Sequence, residues 1–326
     1  MRLHWSLESG LCTTMNRVIV SKETDPCYNL ALEEELLKSV KKGDIILYLW
    51  QNHKTVVIGR NQNPFLECDL EKMAAEGVKL VRRISGGGTV YHDMGNLNFT
   101  FVSNVKDRNM QKQLKVIKGA VEKFGINAEF SGRNDLLCEG RKFSGHAFYE
   151  EDGNCFHHGT LMVDVDKQIL GDILKPSKLK LEAKGITSVK SRVVNLKEFC
   201  DNINIERLVE ALAGSFELEY GDFEELLEYS AENFTPLEIS RHRDDKWVYG
   251  QSPHYDAVLE KKTDAGNFQM LIAVENGIVK NARVYSDSLK NLDYSYLEEK
   301  LTGIYFHEAE SCLESLITYG KLECDL

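Results

Sequence analysis

Arg82-Arg83-Ile84-Ser85-Gly86-Gly87-Gly88-Thr89-Val90-Tyr91-His92-Asp93 is the stretch from which the rest of the chain is read. It is preceded by Val78–Arg83, rich in branched residues. It is followed by Leu97–Val102, in which Leu97, Phe99 and Phe101 alternate with Asn98 and Thr100. The first reads as a strand and the second as a half-buried strand. Three consecutive glycines between strands permit backbone angles and close approach that no side chain tolerates. The exposed N–H groups of such a turn can cradle a phosphate, and Arg83 beside it can neutralise one. The spacing is neither G-x-x-x-x-G-K-[ST] nor G-x-G-x-x-G, which excludes the ordinary P-loop and dinucleotide readings. A flexible hairpin turn is the structural alternative, and these residues alone leave both readings open.

Working outward, Asp25-Pro26 is a helix start, with aspartate as N-cap and proline in the first helical position. Tyr28, Leu32, Leu36 and Val40 follow at a spacing that predicts one apolar helical face, with Glu33, Glu34 and Glu35 filling much of the rest. Ile45–Trp50 and Thr55–Gly59 read as strands joined by a polar turn. Leu114, Ile117, Val121 and Phe124 mark an amphipathic helix over the sheet. Strand-like runs lie around Lys142–Tyr149 and Thr160–Val165. This predicts a mixed α/β (α+β) domain, hairpins mingled with helices, in place of strict βαβ alternation. The stretch Leu174–Arg192 is basic and loop-like, and Ile205–Phe216 and Asp222–Ala231 look helical. Asn276-Gly277, between apolar alternations, is a hairpin signal, and short helices near Tyr294–Leu301 and His307–Tyr319 would pack on that hairpin. The expected organisation is an N-terminal extension over 1–16, a large domain over 17–245 and a small accessory domain over 246–326.

Composition narrows the class. With 326 residues, 42% apolar and 28% charged, the chain is cored and globular. No run approaches a membrane helix, and the first ten residues lack the apolar core of a secretory signal. Eight scattered cysteines without a C-x-x-C pair read as reduced thiols in a cytoplasmic protein. A formal charge of −11 argues against general binding to nucleic acid or to an anionic membrane.

Two further segments carry candidate chemistry. Ser131-Gly132-Arg133-Asn134-Asp135 is followed by Gly140-Arg141-Lys142-Phe143-Ser144-Gly145. A lysine in a strand beside small residues could hold a carboxylate and a phosphate together, which is what carboxylate adenylation requires. A solvated surface lysine is the plain alternative. Asp135 could ligate magnesium, though one carboxylate decides little. In Phe156-His157-His158-Gly159-Thr160-Leu161 the paired histidines invite a metal reading. Neighbours on a strand point to opposite faces, however, and no second histidine stands at ligand spacing, so a structural or ligand-orienting role is expected.

Together and in this order, these blocks resemble the lipoate–protein ligase A family. The resemblance includes Gly59-Arg60-Asn61-Gln62-Asn63-Pro64, the Arg82–Asn96 run, Gly132–Leu136, Arg141–Gly145, His157–Leu161 and Lys184–Leu196. Trp247–Gly250 and Val284–Leu289 resemble the small C-terminal domain of that family, and coverage runs from about Arg17 almost to the end. The resemblance implies a mixed-sheet catalytic domain like that of biotin ligases, followed by a small accessory domain. It implies ATP and Mg2+, lipoate as substrate, and transfer through a lipoyl-adenylate. The acceptors would be apo lipoyl-carrier domains of 2-oxoacid dehydrogenase E2 subunits or glycine-cleavage H protein. Carried over residue by residue, Arg83, Gly88, Thr89, Val90 and Tyr91 match ATP- and adenylate-binding positions. Lys142 matches the key lysine that meets both lipoate and the α-phosphate. Asp135 falls where magnesium or phosphate would bind, and His92 and His146 border the lipoyl pocket, the family varying at the latter. An ATP-independent lipoyl- or octanoyltransferase on the same fold, with Cys138 or Cys155 near the relevant strands, is the rival reading. A non-catalytic lipoate-binding regulator and a biotin ligase are weaker ones.

Overall fold

A computed structural model describes residues 15–131, 135–175, 193–223, 226–250 and 255–319. Most of the basic stretch Leu174–Arg192 and the Gly132-Arg133-Asn134 part of the second motif lie outside these residues.

Strand β1 (Asn16–Ser21) leads into helix α1 (Pro26–Ser39). The Asp25 side chain accepts the Cys27 N–H, and Pro26, which has no N–H to leave unmet, takes the first position. The chain continues through β2 (Ile45–Trp50), β3 (Thr55–Ile58), β4 (Lys79–Arg82), β5 (Val90–His92) and β6 (Asn96–Asn104). Helix α2 (Met110–Glu122), β7 (Glu129–Phe130), β8 (Asp135–Cys138), β9 (Arg141–Glu151) and β10 (Asn154–Met162) follow. Helix α3 (Ile205–Tyr220), β11 (Leu226–Tyr229), α4 (Ile239–Arg243) and α5 (Asp245–Tyr249) complete this part. Then come β12 (Ala257–Thr263), β13 (Gly266–Glu275), β14 (Ile278–Ser286), α6 (Tyr294–Leu301) and α7 (Ala309–Tyr319).

The main sheet has eight strands in the order β11-β1-β2-β6-β10-β9-β8-β7. Strand β1 runs parallel to both its neighbours, and the remaining pairs are antiparallel, which is the expected mixed sheet. One face carries α2 and α3 over Phe99, Phe101, Phe143 and Leu161. The other carries α1 over Ile46, Tyr48, Trp50, Val102 and Phe156, together with residues of a three-stranded sheet, β4-β3-β5. The C-terminal part builds its own core, where β12-β13-β14 meets α6 and α7 around Phe268, Ile272, Leu297 and Leu313. Asn276 and Gly277 both take positive φ, 53° and 79°, as a two-residue hairpin turn requires.

Three local expectations need correction. Leu97–Val102 is buried on both faces because α1 and the small sheet cover the side that alternation assigned to solvent. The polar turn after β2 does not close a hairpin, since β2 pairs with β1 and β6 whereas β3 pairs with β4 and β5. The described residues of Asp222–Ala231 are not helical. The Leu226–Tyr229 segment pairs in parallel with β1, because an open sheet edge offers backbone partners that outweigh local propensity. Among the described residues no helix is long and apolar enough to cross a membrane.

Candidate active site

The α1-facing side of the main sheet forms a floor. Register places Tyr48, Thr100, His158 and Ala147 side by side across four strands in one row. Trp50, Asn98 and Thr160 form the next row, and Gly145 adjoins it, donating its N–H to Thr160 Oγ1 at 3.3 Å. The triple-glycine turn stands over the first row, with a Cβ placed on Gly87 lying 3.7 Å from the Ala147 methyl. Lys142 reaches over the second, because its Nζ lies 2.6 Å from where a Cβ on Gly145 would be. A bulge in the pairing of β8 and β9 precedes this point and turns the lysine onto this face. The ammonium meets Asp135 Oδ1 at 2.6 Å, and its side chain is one-quarter exposed. Lys142 is therefore a fixed cation over the floor and not a solvated surface lysine.

The turn is held from beneath by two arginines with different tasks. Arg83 donates to the carbonyls of Gly86 and Gly88 at 2.6 and 2.8 Å, to that of Val57 at 3.2 Å, and to Ser85 Oγ at 3.0 Å. Burial lowers its pKa to about 10, opposed by Glu33, so it stays charged at neutral pH. By collecting carbonyls on the inner side, Arg83 fixes the path of the turn. Arg82 does other work. It donates to the carbonyls of Gly59, Arg60 and Gln62 in the preceding loop and to those of Trp247 and Val248 in α5. The close approach needs glycine at residue 59 too, where a Cβ would fall 2.1 Å from the Gly87 oxygen. Thr89 is held by Gln62, whose Oε1 accepts its hydroxyl at 2.8 Å and the Gly59 N–H at 3.0 Å. The C-terminal part also touches the turn, since Gly87 N–H donates to the Ser288 carbonyl at 3.2 Å.

Behind the turn runs a buried polar chain. Trp50 Nε1 donates to Thr100 Oγ1 at 3.1 Å, and that hydroxyl donates to Glu33 Oε1 at 2.7 Å. The same carboxylate oxygen lies 2.8 Å from His158 Nδ1, and His158 Nε2 lies 2.9 Å from Ser85 Oγ. A carboxylate oxygen can only accept, so His158 Nδ1–H donates to Glu33, and in that tautomer Nε2 accepts the Ser85 hydroxyl. A carboxylate and a guanidinium are thus joined through one imidazole and one hydroxyl. His92 stands against the same group, its ring edge-on to Trp50 at 6.1 Å between centroids. Its pKa falls to about 3, through burial first and then the nearby Arg83 and His158.

His157 and His146 lie on the opposite face. His157 Nδ1 meets Gln113 of α2 at 3.0 Å, His157 Nε2 meets His146 Nδ1 at 2.7 Å, and His146 Nε2 meets Ser144 Oγ at 3.0 Å. The strand rule for the paired histidines therefore describes them, one to each face. The floor brings together Arg83, Gly88, His92 and Lys142 with Asp135, but not His146, which stacks on His157 beneath the sheet. Reading the sequence missed Glu33, Trp50, Thr100, Asn98 and Arg82. Glu33 sits among three consecutive glutamates and looks solvent-facing, and nothing local marks it as buried.

The family model of the lipoyl protein ligase A/B catalytic domain matches residues 25–217, more than half of the chain. Lipoate-protein ligase A of Psychrobacter cryohalolentis is 38% identical over 312 residues, covering 92% of each chain. The chain belongs to the lipoate–protein ligase A family. Its C-terminal part, from residue 252 to 316, matches the bacterial lipoate protein ligase C-terminus. Among solved structures, P. falciparum LipL1 in complex with lipoate superposes with a TM-score of 0.76 at 30% identity, covering 91% of this chain and 93% of that one. A lipoate-protein ligase A bound with ATP shares the fold, with a TM-score of 0.63 at 23% identity over 73% of this chain and 99% of that one.

Proposed function

We propose that this ligase uses ATP to convert lipoate into lipoyl-adenylate and then moves the lipoyl group onto a lysine of an apo carrier domain. In the first step a lipoate carboxylate oxygen attacks the α-phosphorus, and pyrophosphate leaves. In the second the carrier's ε-amine nitrogen attacks the lipoyl carbonyl, AMP leaves, and the amine proton passes to a base. The supporting observation is the position of Lys142. Its ammonium overlies Gly145, two residues along the strand from the Ala147 methyl beneath the glycine turn, a separation of about 7 Å. One fixed cation there can meet a carboxylate over the second row and a phosphate at the turn, and can offset their repulsion as charge develops.

In this reading Arg83 shapes the turn, Gly88–Tyr91 receive the nucleotide and His92 borders the acyl chain. His146 supports β9 from below without meeting substrate. Magnesium commonly takes one or two protein carboxylates together with substrate phosphates. Among the described residues no group of three potential metal ligands forms a cage of its own. Asp135, beside the Lys142 ammonium, fits that mode as a single carboxylate. When bound, the metal would neutralise phosphate charge. The acceptors we propose are lipoyl domains of 2-oxoacid dehydrogenase E2 subunits and glycine-cleavage H protein, with residues 17–245 performing the chemistry and 246–326 serving as an accessory domain. Cys138 and Cys155 are buried, and burial pushes both thiols up. That disfavours a thioester-forming transferase, whose nucleophile needs an accessible thiolate.

Incubation with ATP, magnesium, lipoate and an apo carrier, followed by intact-mass measurement, should show the lipoyl increment on the carrier. The increment should vanish when any one component is omitted. Carrier modification without ATP, or lipoate-dependent pyrophosphate release that never appears, would overturn the proposal.

A further inference from the structure

Two buried hydrogen-bond donors in the floor have no acceptor among the described residues. Asn96 Nδ2 donates to Asn98 Oδ1 at 2.9 Å, and Asn98 Nδ2 and Asn96 Oδ1 have no partner among the described residues. As placed, the unmet donor of this pair is on Asn98; exchanging the oxygen and nitrogen of both amides would put it on Asn96, two residues along the same face of the strand. The second donor is His92. Asn29 Nδ2 donates to Asn52 Oδ1 at 3.0 Å, so the Nδ2 of Asn52 faces His92 Nδ1, at 3.2 Å. The ring proton of His92 is therefore on Nε2, which has no partner among the described residues. Asn98 and His92 are 2% and 3% exposed, so bulk water does not satisfy either group. Both flank Trp50, Asn98 as its cross-strand neighbour and His92 through the edge-on ring contact.

Their place relative to Lys142 gives these donors a meaning. From Gly145, under the lysine ammonium, the second row runs across Thr160 to Asn98, two strand spacings or roughly 10 Å away. An extended medium-chain acid with its carboxylate at Lys142 reaches Asn98 with its distal half. Burying an unmet donor is costly, and a bare hydrocarbon chain laid there leaves it unmet. A chain carrying an acceptor atom meets it. Resting on the ligase reading above, we infer that Asn98 is a specificity-determining residue. It selects an acyl chain bearing an acceptor, here the dithiolane sulfurs of lipoate, over a plain fatty acid of similar length, and the Nε2–H of His92 is the second donor. Sulfur is a weak acceptor, so the discrimination is graded and not absolute.

The test is pyrophosphate release with lipoate and with octanoate as alternative acids, in the full-length wild type, Asn98→Leu and Asn98→Ser. Wild type should favour lipoate. Asn98→Leu should lower the lipoate-to-octanoate ratio of kcat/KM about tenfold, mostly through a higher KM for lipoate. Asn98→Ser retains a donor and should keep most of the preference. A ratio in folded Asn98→Leu within twofold of wild type overturns the assignment. If Asn98→Leu does not fold, Asn98→Ala takes its place with the same two outcomes. A wild type that uses both acids equally also overturns it, whatever the variants do. A wild type that releases pyrophosphate with neither acid overturns the ligase reading itself, which is a distinct result.

Discussion

In the proposed reaction, Lys142 is the side chain on which the adenylation chemistry is concentrated. Removing it deletes a cation that reaches over the second row of the floor and takes the 2.6 Å partner from Asp135. Lys142→Ala is expected to lower lipoate-dependent pyrophosphate release by about 10²–10³ with little change in melting temperature. A folded variant with near-normal release would remove Lys142 from this role. Gly59 is a different kind of residue, needed for what it lacks. A methyl there would lie 2.1 Å from the Gly87 oxygen, a backbone atom that cannot swing aside. Gly59→Ala should therefore displace the glycine turn, costing about 1–3 kcal/mol of stability and raising the KM for ATP. Chemical denaturation and initial-rate kinetics measure the two effects separately, and an unchanged KM would detach Gly59 from the nucleotide site.

Among the elements, α4 and α5 do more than connect. Arg82, at the end of β4, binds the loop Gly59–Gln62 and the last turn of α5 in one grip. Trp247 of α5 returns its indole N–H to the Arg82 carbonyl at 2.9 Å. The ring of Trp247 also carries the Arg241 guanidinium at 4.9 Å, and Arg241 pairs with the buried Glu34 of α1. Burial acts to raise the Glu34 pKa, but His242, Lys38 and Arg241 together hold it at about 2. Helix α1, the α4–α5 segment and the loop beside the glycine turn are thus tied in series. Arg82→Met keeps the length of the side chain but leaves several buried carbonyls without donors, at about 1–3 kcal/mol for each one not met by water. The expected result is a fall of at least about 3 kcal/mol in urea denaturation, accompanied by a red-shifted Trp247 emission. A drop below about 1 kcal/mol would mean that water replaces the guanidinium and the grip is dispensable.

At the scale of the whole molecule the buried histidines set the acid limit. His92 and His146 are held to about 3 and His157 well below its ordinary value, in each case through burial first. In the unfolded chain each takes up a proton near pH 6.5, which the native state refuses. Below that pH the unfolded state binds more protons, so stability falls as pH is lowered from about 6.5 towards 3. Each neutral imidazole contributes up to about 1.4 kcal/mol per pH unit to this slope. Denaturation midpoints at pH 7.0, 6.0 and 5.0 should fall progressively. His146→Gln should flatten the slope by about one histidine's share, and an unchanged slope would show that His146 takes up its proton while folded.

Much of this protein is legible locally. The cap and proline before α1, the Asn276-Gly277 turn and the alternation in β6 act over a few residues, so the chain sequence alone determines them. The ordered motifs around Arg83, Lys142 and His158 likewise suffice for the family and for the reaction it implies. The floor is another matter. Residues 33, 50, 98, 100 and 158 share it only because four separate elements meet there. No local pattern tells Glu33, which is buried, from its more exposed neighbour Glu35. The same holds for β11, whose partner is strand β1 some two hundred residues earlier, and for Leu97–Val102, whose outward face is covered by elements remote in sequence. Periodicity reports which side of a segment is apolar. Only long-range packing decides what lies against it, and so which polar groups lose water and must find their partners in one another or in a substrate.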